Sequence, residues 1–371
     1  VSATYIDDPL YNFWGFNGAA SPLYKSLESN KSFASQILDG TIPAADAALF
    51  STMGINPLKN VSYYYTNRDI IRVLADFQGN IVPRLRWAGG VSYWNFRMGD
   101  INESKYGYDA QSTLYNHYKQ FGVIKDSEAN GGSRLEIKAG LVYDSRDFET
   151  APNSGIWSEI YVNGSPDVFG DGFNYLKLSA HFRHYVRIPL GLKVGDPVFA
   201  YHLAYQGTVA GEAPFYVQQN VTALILKQMM SEGLGSSNTL RGTRANRLIG
   251  DGYAWGNFEL RVKMVNFKFL GQNFYLAANP FLDCGMIVQP YRVSEMSVLP
   301  EINALAIAAG YKAGEADKYI RDMAGQFICS GGAGLKLAWN QNFIVSIEVA
   351  HNFNKGIGDP FWMSIGTNYC F

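Results

Sequence analysis

The stretch FWMSIGTNYCF, residues 361–371, alternates to its last residue. Phe361, Met363, Ile365, Thr367, Tyr369 and Phe371 have one parity. Trp362, Ser364, Gly366, Asn368 and Cys370 have the other. A period of two belongs to a strand, whose successive side chains point to opposite faces. The last residues of a soluble domain are usually polar and frayed unless something ties them down. A strand that keeps its apolar face to the final carboxylate needs an apolar neighbour there.

The same period runs upstream. In FNYLKLSAHFRHYVRI, Leu176, Leu178, Ala180, Phe182, Val186 and Ile188 oppose Lys177, Ser179, His181, Arg183, Tyr185 and Arg187. In NFELRVKM, Phe258, Leu260, Val262 and Met264 oppose Asn257, Glu259, Arg261 and Lys263. In RLEIKAGLVYD, Leu135, Ile137, Ala139, Leu141 and Tyr143 oppose Arg134, Glu136, Lys138 and Asp144. A soluble antiparallel sheet also separates apolar from polar faces. The period alone leaves both a sandwich and a membrane barrel open.

The connections discriminate. Strands are expected near 1–6, 61–78, 81–95, 133–147, 155–163, 173–188, 198–209, 254–268, 273–287, 326–339, 342–353 and 361–371. Long joins at 7–60, 96–132, 210–253 and 288–325 alternate with short ones at 79–80, 148–154, 269–272 and 340–341. Short turns at one end and long loops at the other are the layout of an outer-membrane barrel. Four structureless loops of this size would be unusual in a compact soluble domain. The expected fold is therefore all-β, a transmembrane antiparallel barrel forming one domain over residues 1–371, with both chain ends on the short-turn, periplasmic side. Helix-friendly stretches occur at 33–50 and 301–323.

Composition agrees. The 371 residues include 24 Tyr, 23 Phe and 38 Gly, and only 17% are charged. That mixture suits strands and tight turns better than helices. The net charge of -1 gives no electrostatic footprint for nucleic acid. No run of about 18 apolar residues is present, but a spanning strand needs only about 9–11 alternating ones. Val1 reads as a processed or trimmed end. Of the three cysteines, Cys284 and Cys329 fall on neighbouring strands with the same facing, either as a disulfide or as isolated small residues.

Two motifs carry a family resemblance. Ser364-x-Gly366-x-x-Tyr369-x-Phe371 resembles the C-terminal signal by which bacterial outer-membrane barrels are recognised for insertion. That resemblance implies an aromatic face toward lipid, with its last rings at the periplasmic interface. LRGTRANRLIGDGYAWGNFELR, followed by FLDCG at 281–285, resembles the BamA-like superfamily of outer-membrane assembly barrels, the bacterial surface antigen family. The family's Arg-Gly motif, in a loop folded into the lumen, corresponds to Arg241-Gly242. Its Phe-x-Asp-x-Gly motif corresponds to Phe281-x-Asp283-x-Gly285. GLVYDSRDFETAPNSGIWSE and GAGLKLAWNQNFIVSIEVAH are also similar, so the likeness runs from about residue 60 onward.

The pairing also has an independent physical reading. Leu282 belongs to lipid, so Asp283 looks into the lumen, as Glu259 does on the preceding strand. An Arg binds a carboxylate bidentately in a geometry that Lys lacks. Arg241 is thus expected on Asp283, with Glu259 nearby. The family usually has an aromatic after Arg-Gly; Thr243 stands here, which puts the packing of the loop tip in question. The resemblance implies a sixteen-stranded barrel with Val1 near its fifth strand, so either about four strands precede this chain or the barrel closes at twelve. It further implies a non-enzymatic role in membrane-protein or lipid assembly or export, through a seam between first and last strands. Expected partners are outer-membrane lipids and other outer-membrane, periplasmic or lipoprotein components of a Gram-negative envelope. A passive pore and a surface adhesion barrel are the rival readings.

Catalytic signatures are not found. His181 and His184 have a helical metal spacing, but on a strand they face opposite sides. SGGAGLKL lacks the Gly-Lys-Ser/Thr of a phosphate loop. No cofactor or metal is expected.

Overall fold

The computed structural model describes residues 1–16, 64–106, 110–224, 229–291, 304, 324–340, 343–354, 361–367 and 369–371. The stretch 33–50, and all of 301–323 but residue 304, lie outside them. Among the described residues, twelve strands form one antiparallel sheet. In chain order they are β1 (Ser2–Asn12), β2 (Tyr65–Val82), β3 (Leu85–Gly99), β4 (Gly131–Asp144), β5 (Gly155–Ser165), β6 (Tyr175–Arg187) and β7 (Val198–Gly211), continuing after a small hairpin with β10 (Gly252–Phe269), β11 (Gln272–Gln289), β12 (Ile328–Trp339), β13 (Phe343–Asn352) and β14 (Trp362–Thr367). The hairpin, β8 (Asn220–Leu224) and β9 (Met229–Glu232), lies within the β7–β10 loop. Each strand of the large sheet pairs with its neighbours in that order. Among the described residues β1 and β14 are its two ends and do not pair with each other.

All twelve expected strands have a counterpart. The first is longer than its alternation suggests: β1 continues through Pro9, where the register shifts between Asp8 and Tyr11. Proline donates nothing to a ladder, and a bulge is one of the few places a paired strand accommodates it.

Burial answers what the two faces meet. On β6, Tyr175, Lys177, Ser179, His181, Arg183 and Tyr185 are buried, while Leu176, Phe182 and Val186 are exposed. On β10, Asn257, Glu259 and Arg261 are buried and Leu260 and Met264 exposed. On β4, Arg134 and Glu136 are buried, whereas Ile137 is 57% exposed. A water-soluble protein shows the reverse, because burying charges without partners is expensive and exposing apolar side chains forgoes hydrophobic stabilisation. The inverted sheet suits a lipid surroundings and a polar interior.

The long-loop end is packed shut where it is described. Phe13, Phe16, Tyr115, Tyr118, Phe121, Phe215 and Tyr291 belong to one buried aromatic cluster. The centroids of Phe13 and Phe16 are 5.4 Å apart, edge to face, and those of Phe16 and Tyr291 4.4 Å apart. Helix α1 (Leu114–Gln120) joins this cap, its first turn held by the Thr113 side chain.

Cys284 and Cys329 are cross-strand partners of β11 and β12, joined as a disulfide with Cα atoms 4.2 Å apart. The bond closes the base of the loop between those strands. Alkylation of the unreduced, denatured protein is therefore expected to modify Cys370 alone. Prior reduction should open all three cysteines. Three modified thiols without reduction would rule the pairing out.

Candidate functional site

Arg241 lies in the β7–β10 loop, which turns back into the sheet's concave, polar side. Asp283 on β11 meets it at three points. Its Oδ2 accepts from the Arg241 Nε at 2.7 Å and from the backbone N–H at 3.1 Å, and its Oδ1 accepts from Nη2 at 2.8 Å. Nη1 donates to Glu259 on β10 at 2.6 Å and to Glu348 on β13 at 3.1 Å. The guanidinium carbon sits 3.5 Å from the centroid of the Phe281 ring, a cation–π arrangement. Arg241 is thus fully buried yet satisfied on both edges and one face.

Charge balance explains why such burial is tolerated. Lys336 reaches Glu348 at 2.7 Å and Arg261 reaches Glu259 at 3.0 Å. Arg241, Lys336 and Arg261 oppose Asp283, Glu259 and Glu348: three cations against three carboxylates. Removing water from charges costs several kcal/mol per ion unless geometry and partners offset it. Here each carboxylate has a cation within 3.1 Å.

Gly242 makes the approach possible. Its φ is +80°, and a Cβ there would lie 3.1 Å from the Ser330 Cβ and 3.3 Å from the Ala350 Cβ. The left-handed backbone and the tight contact both favour glycine. The Ser330 hydroxyl donates to the Arg241 carbonyl. Thr243, where an aromatic was expected from the resemblance, is fully buried, and its hydroxyl accepts from the Asn352 side-chain amide at 2.8 Å. A short polar residue therefore packs the loop tip.

The structure brings together Arg241, Gly242, Asp283 and Glu259, the four residues singled out from the sequence. Sequence reasoning missed Ser330, Lys336, Glu348 and Asn352. All four lie on the buried faces of β12 and β13, a parity that alternation already gives. Alternation gives no cross-strand partner, however, and Glu348 is 107 residues from Arg241.

The C-terminal residues require a correction. Phe361, Met363 and Ile365 are exposed on the outer face, as expected. Ser364 and Gly366 lie on the opposite parity of β14, in register with Glu348 and Ser346. The expectation that Tyr369 and Phe371 also face lipid is overturned. β14 ends at Thr367, its last paired residue, and the rings turn inward. Arg261 stands 4.0 Å from the Tyr369 ring and donates to the Phe371 carbonyl at 2.8 Å. The Phe371 ring packs near His202 and Tyr185, at 5.6 and 6.4 Å between centroids. Between them, the Cys370 thiol donates to the carbonyl of Ser237 in the Arg241 loop at 3.3 Å. The interior thus offers these residues a guanidinium and aromatic faces.

His181 and His202 lie on the buried faces of β6 and β7, ring nitrogens 3.1 Å apart. No group of three or more metal-ligating side chains occurs among the described residues.

The Omp85 superfamily domain matches residues 59–367. The chain belongs to the Omp85 superfamily. A search of curated proteins gave no match. Among solved structures, the chain is similar to BamA from Haemophilus ducreyi lacking POTRA domains 1–3. The two are 12% identical, with a TM-score of 0.51 over 83% of this chain and 55% of that one. The chain therefore spans little more than half of that BamA, and the likeness concerns the fold. Membership of Omp85 makes the inside-out sheet an outer-membrane β-barrel related to assembly and translocation barrels.

Proposed function

We propose that the protein acts in the bacterial outer membrane as an assembly or export barrel and catalyses no covalent chemistry. In this reading the β7–β10 loop is a brace inside the lumen, with Arg241 and Gly242 at its tip and Asp283 and Glu259 as its main seats. The carrying observation is the buried six-charge cluster, which fastens the loop to β10, β11, β12 and β13 at once. Such a fastening suits a lumen that is held and released, and it argues against a passive, water-filled pore. Ser364, Gly366, Tyr369 and Phe371 act earlier, as the segment read while the chain is unfolded and awaiting insertion. The partners are outer-membrane lipids, client barrels or surface lipoproteins, and separate periplasmic or lipoprotein components.

Depletion of the protein followed by quantitative proteomics of the outer membrane tests the reading. Selective loss of other barrels or of surface lipoproteins is expected, and the losses would name the clients. An unchanged outer-membrane proteome would sink the assembly reading.

A further inference from the structure

The Arg241 tip is one end of the loop; its other end is fastened to the opposite part of the sheet order. Arg68 on β2 is 2% exposed. Its Nη2 donates to Glu232, at the end of β9, at 2.7 Å, and to Asp8 on β1 at 3.3 Å. The guanidinium lies over the Tyr11 ring, 3.8 Å from its centroid. The Tyr11 hydroxyl in turn donates to Gln219, just before β8. Two strands at the beginning of the sheet thus grip the base of the β8–β9 hairpin.

Backbone bonds connect this grip to the tip. Asn246 N–H donates to the Glu232 carbonyl at 2.6 Å, Leu234 N–H to Leu248 at 2.8 Å and Ser236 N–H to Thr243 at 2.8 Å. The Asn246 side-chain amide donates to the Glu232 carboxylate at 3.0 Å. Leu234, Leu240 and Leu248 are fully buried alongside. A short, self-bonded segment of this kind moves as one piece, because opening any part of it exposes several backbone groups together.

We infer that the loop is a strut with two feet, and that Arg68 is the positioning residue of the second. One foot, Glu232 with Gln219, stands on β1 and β2. The other, Arg241, stands on β10 to β13. Displacement of β1–β2 relative to β10–β13 must then break a foot or bend the strut. The β1–β2 and β10–β13 parts of the sheet are mechanically coupled through residues 232–248, and not through strand pairing alone. This inference rests on the brace reading of Arg241 and adds a second, independent fastening to it.

Hydrogen–deuterium exchange of the detergent-folded barrel tests it. Arg68→Ala is expected to speed exchange across residues 232–248 by about tenfold or more, leaving the β4–β7 amides unchanged. Glu232→Gln, made on the loop itself, should do the same to a smaller degree. The exchanged pair Arg68→Glu with Glu232→Arg should recover part of the protection lost in Arg68→Ala, because the 68–232 pair is restored while Asp8 and the Tyr11 ring lose their cation; a simple loss of packing would recover none. Arg241→Ala serves as the reference for the tip. If Arg241→Ala speeds exchange while Arg68→Ala and Glu232→Gln leave it unchanged, the second foot is overturned and the brace stands. If none of the three speeds it, the brace reading falls as well.

Discussion

Arg241→Ala is expected to destabilise the lumenal loop by about 3–5 kcal/mol, the cost of leaving buried charges without their partner. Asp283 loses both guanidinium bonds and keeps the backbone N–H alone, and Glu259 and Glu348 keep Arg261 and Lys336 as their cations. The cluster then holds three carboxylates and two cations. Asp283→Asn alone leaves Arg241 facing an amide and should cost less. In the Arg241→Ala background the same change removes an unpaired charge and should partly restore stability. The resulting coupling is expected at about 2–3 kcal/mol, toward the upper end for residues sharing one network. Arg241→Lys separates charge from geometry: it keeps the cation but cannot bridge Asp283 and Glu259 with a planar fork. Its loss should fall between wild type and alanine. Guanidinium unfolding of the four proteins of the cycle in detergent, followed by tryptophan fluorescence and loop exchange, measures these terms. Additivity within about 0.5 kcal/mol would refute the pairing as an energetic unit.

The strand faces were legible in the sequence because a membrane barrel writes them twice, as period and as charge. Lys177, His181 and Arg183 on one parity of β6, with Leu176, Phe182 and Val186 on the other, already state which residues share a face. The period alone does not say which face is interior. Burial of the charged set settled that point. Arg241 and Asp283 were legible through motif resemblance, with Asp283's facing supported by the parity of Leu282. Arg68 was not. It is one more polar residue on an alternating strand, and its partner Glu232 lies 164 residues away on a four-residue strand too short to announce itself. Pro9 concealed the second half of β1 for a local reason, since it interrupts both the ladder and the alternation. The inward turn of Tyr369 and Phe371 was illegible for the opposite reason. The alternation persists to the last residue although the strand does not, because a pattern records parity and not whether a neighbouring strand remains to pair with.

That inward turn gives Phe371 two separable roles, and variants should distinguish them. Phe371→Ala removes an aromatic from the C-terminal motif and also empties its packing beside Tyr185 and His202. Arg261→Met removes the folded-state attachment, both the bond to the Phe371 carbonyl and the stacking on Tyr369, and leaves the motif intact. Its apolar stem still fills the site, and Glu259 retains Arg241. In cells, the amount of heat-modifiable, folded barrel in the outer membrane is expected to fall severely for Phe371→Ala and little for Arg261→Met. In detergent, where no recognition step operates, the difference between the two should disappear. Purified Phe371→Ala should refold with a stability loss of at most about 3 kcal/mol, the lower range for truncating a buried aromatic, because Phe371 is only half-buried. Arg261→Met should there show a comparable loss, since it leaves Tyr369 and the chain end unattached. If both variants lower cellular assembly in proportion to their stability in detergent, packing inside the lumen accounts for the terminal alternation and no recognition role is needed. If Phe371→Ala fails only in cells, the terminal aromatic is read before the barrel closes over it. The inward position would then follow insertion, with Arg261 capturing residues whose first task is complete.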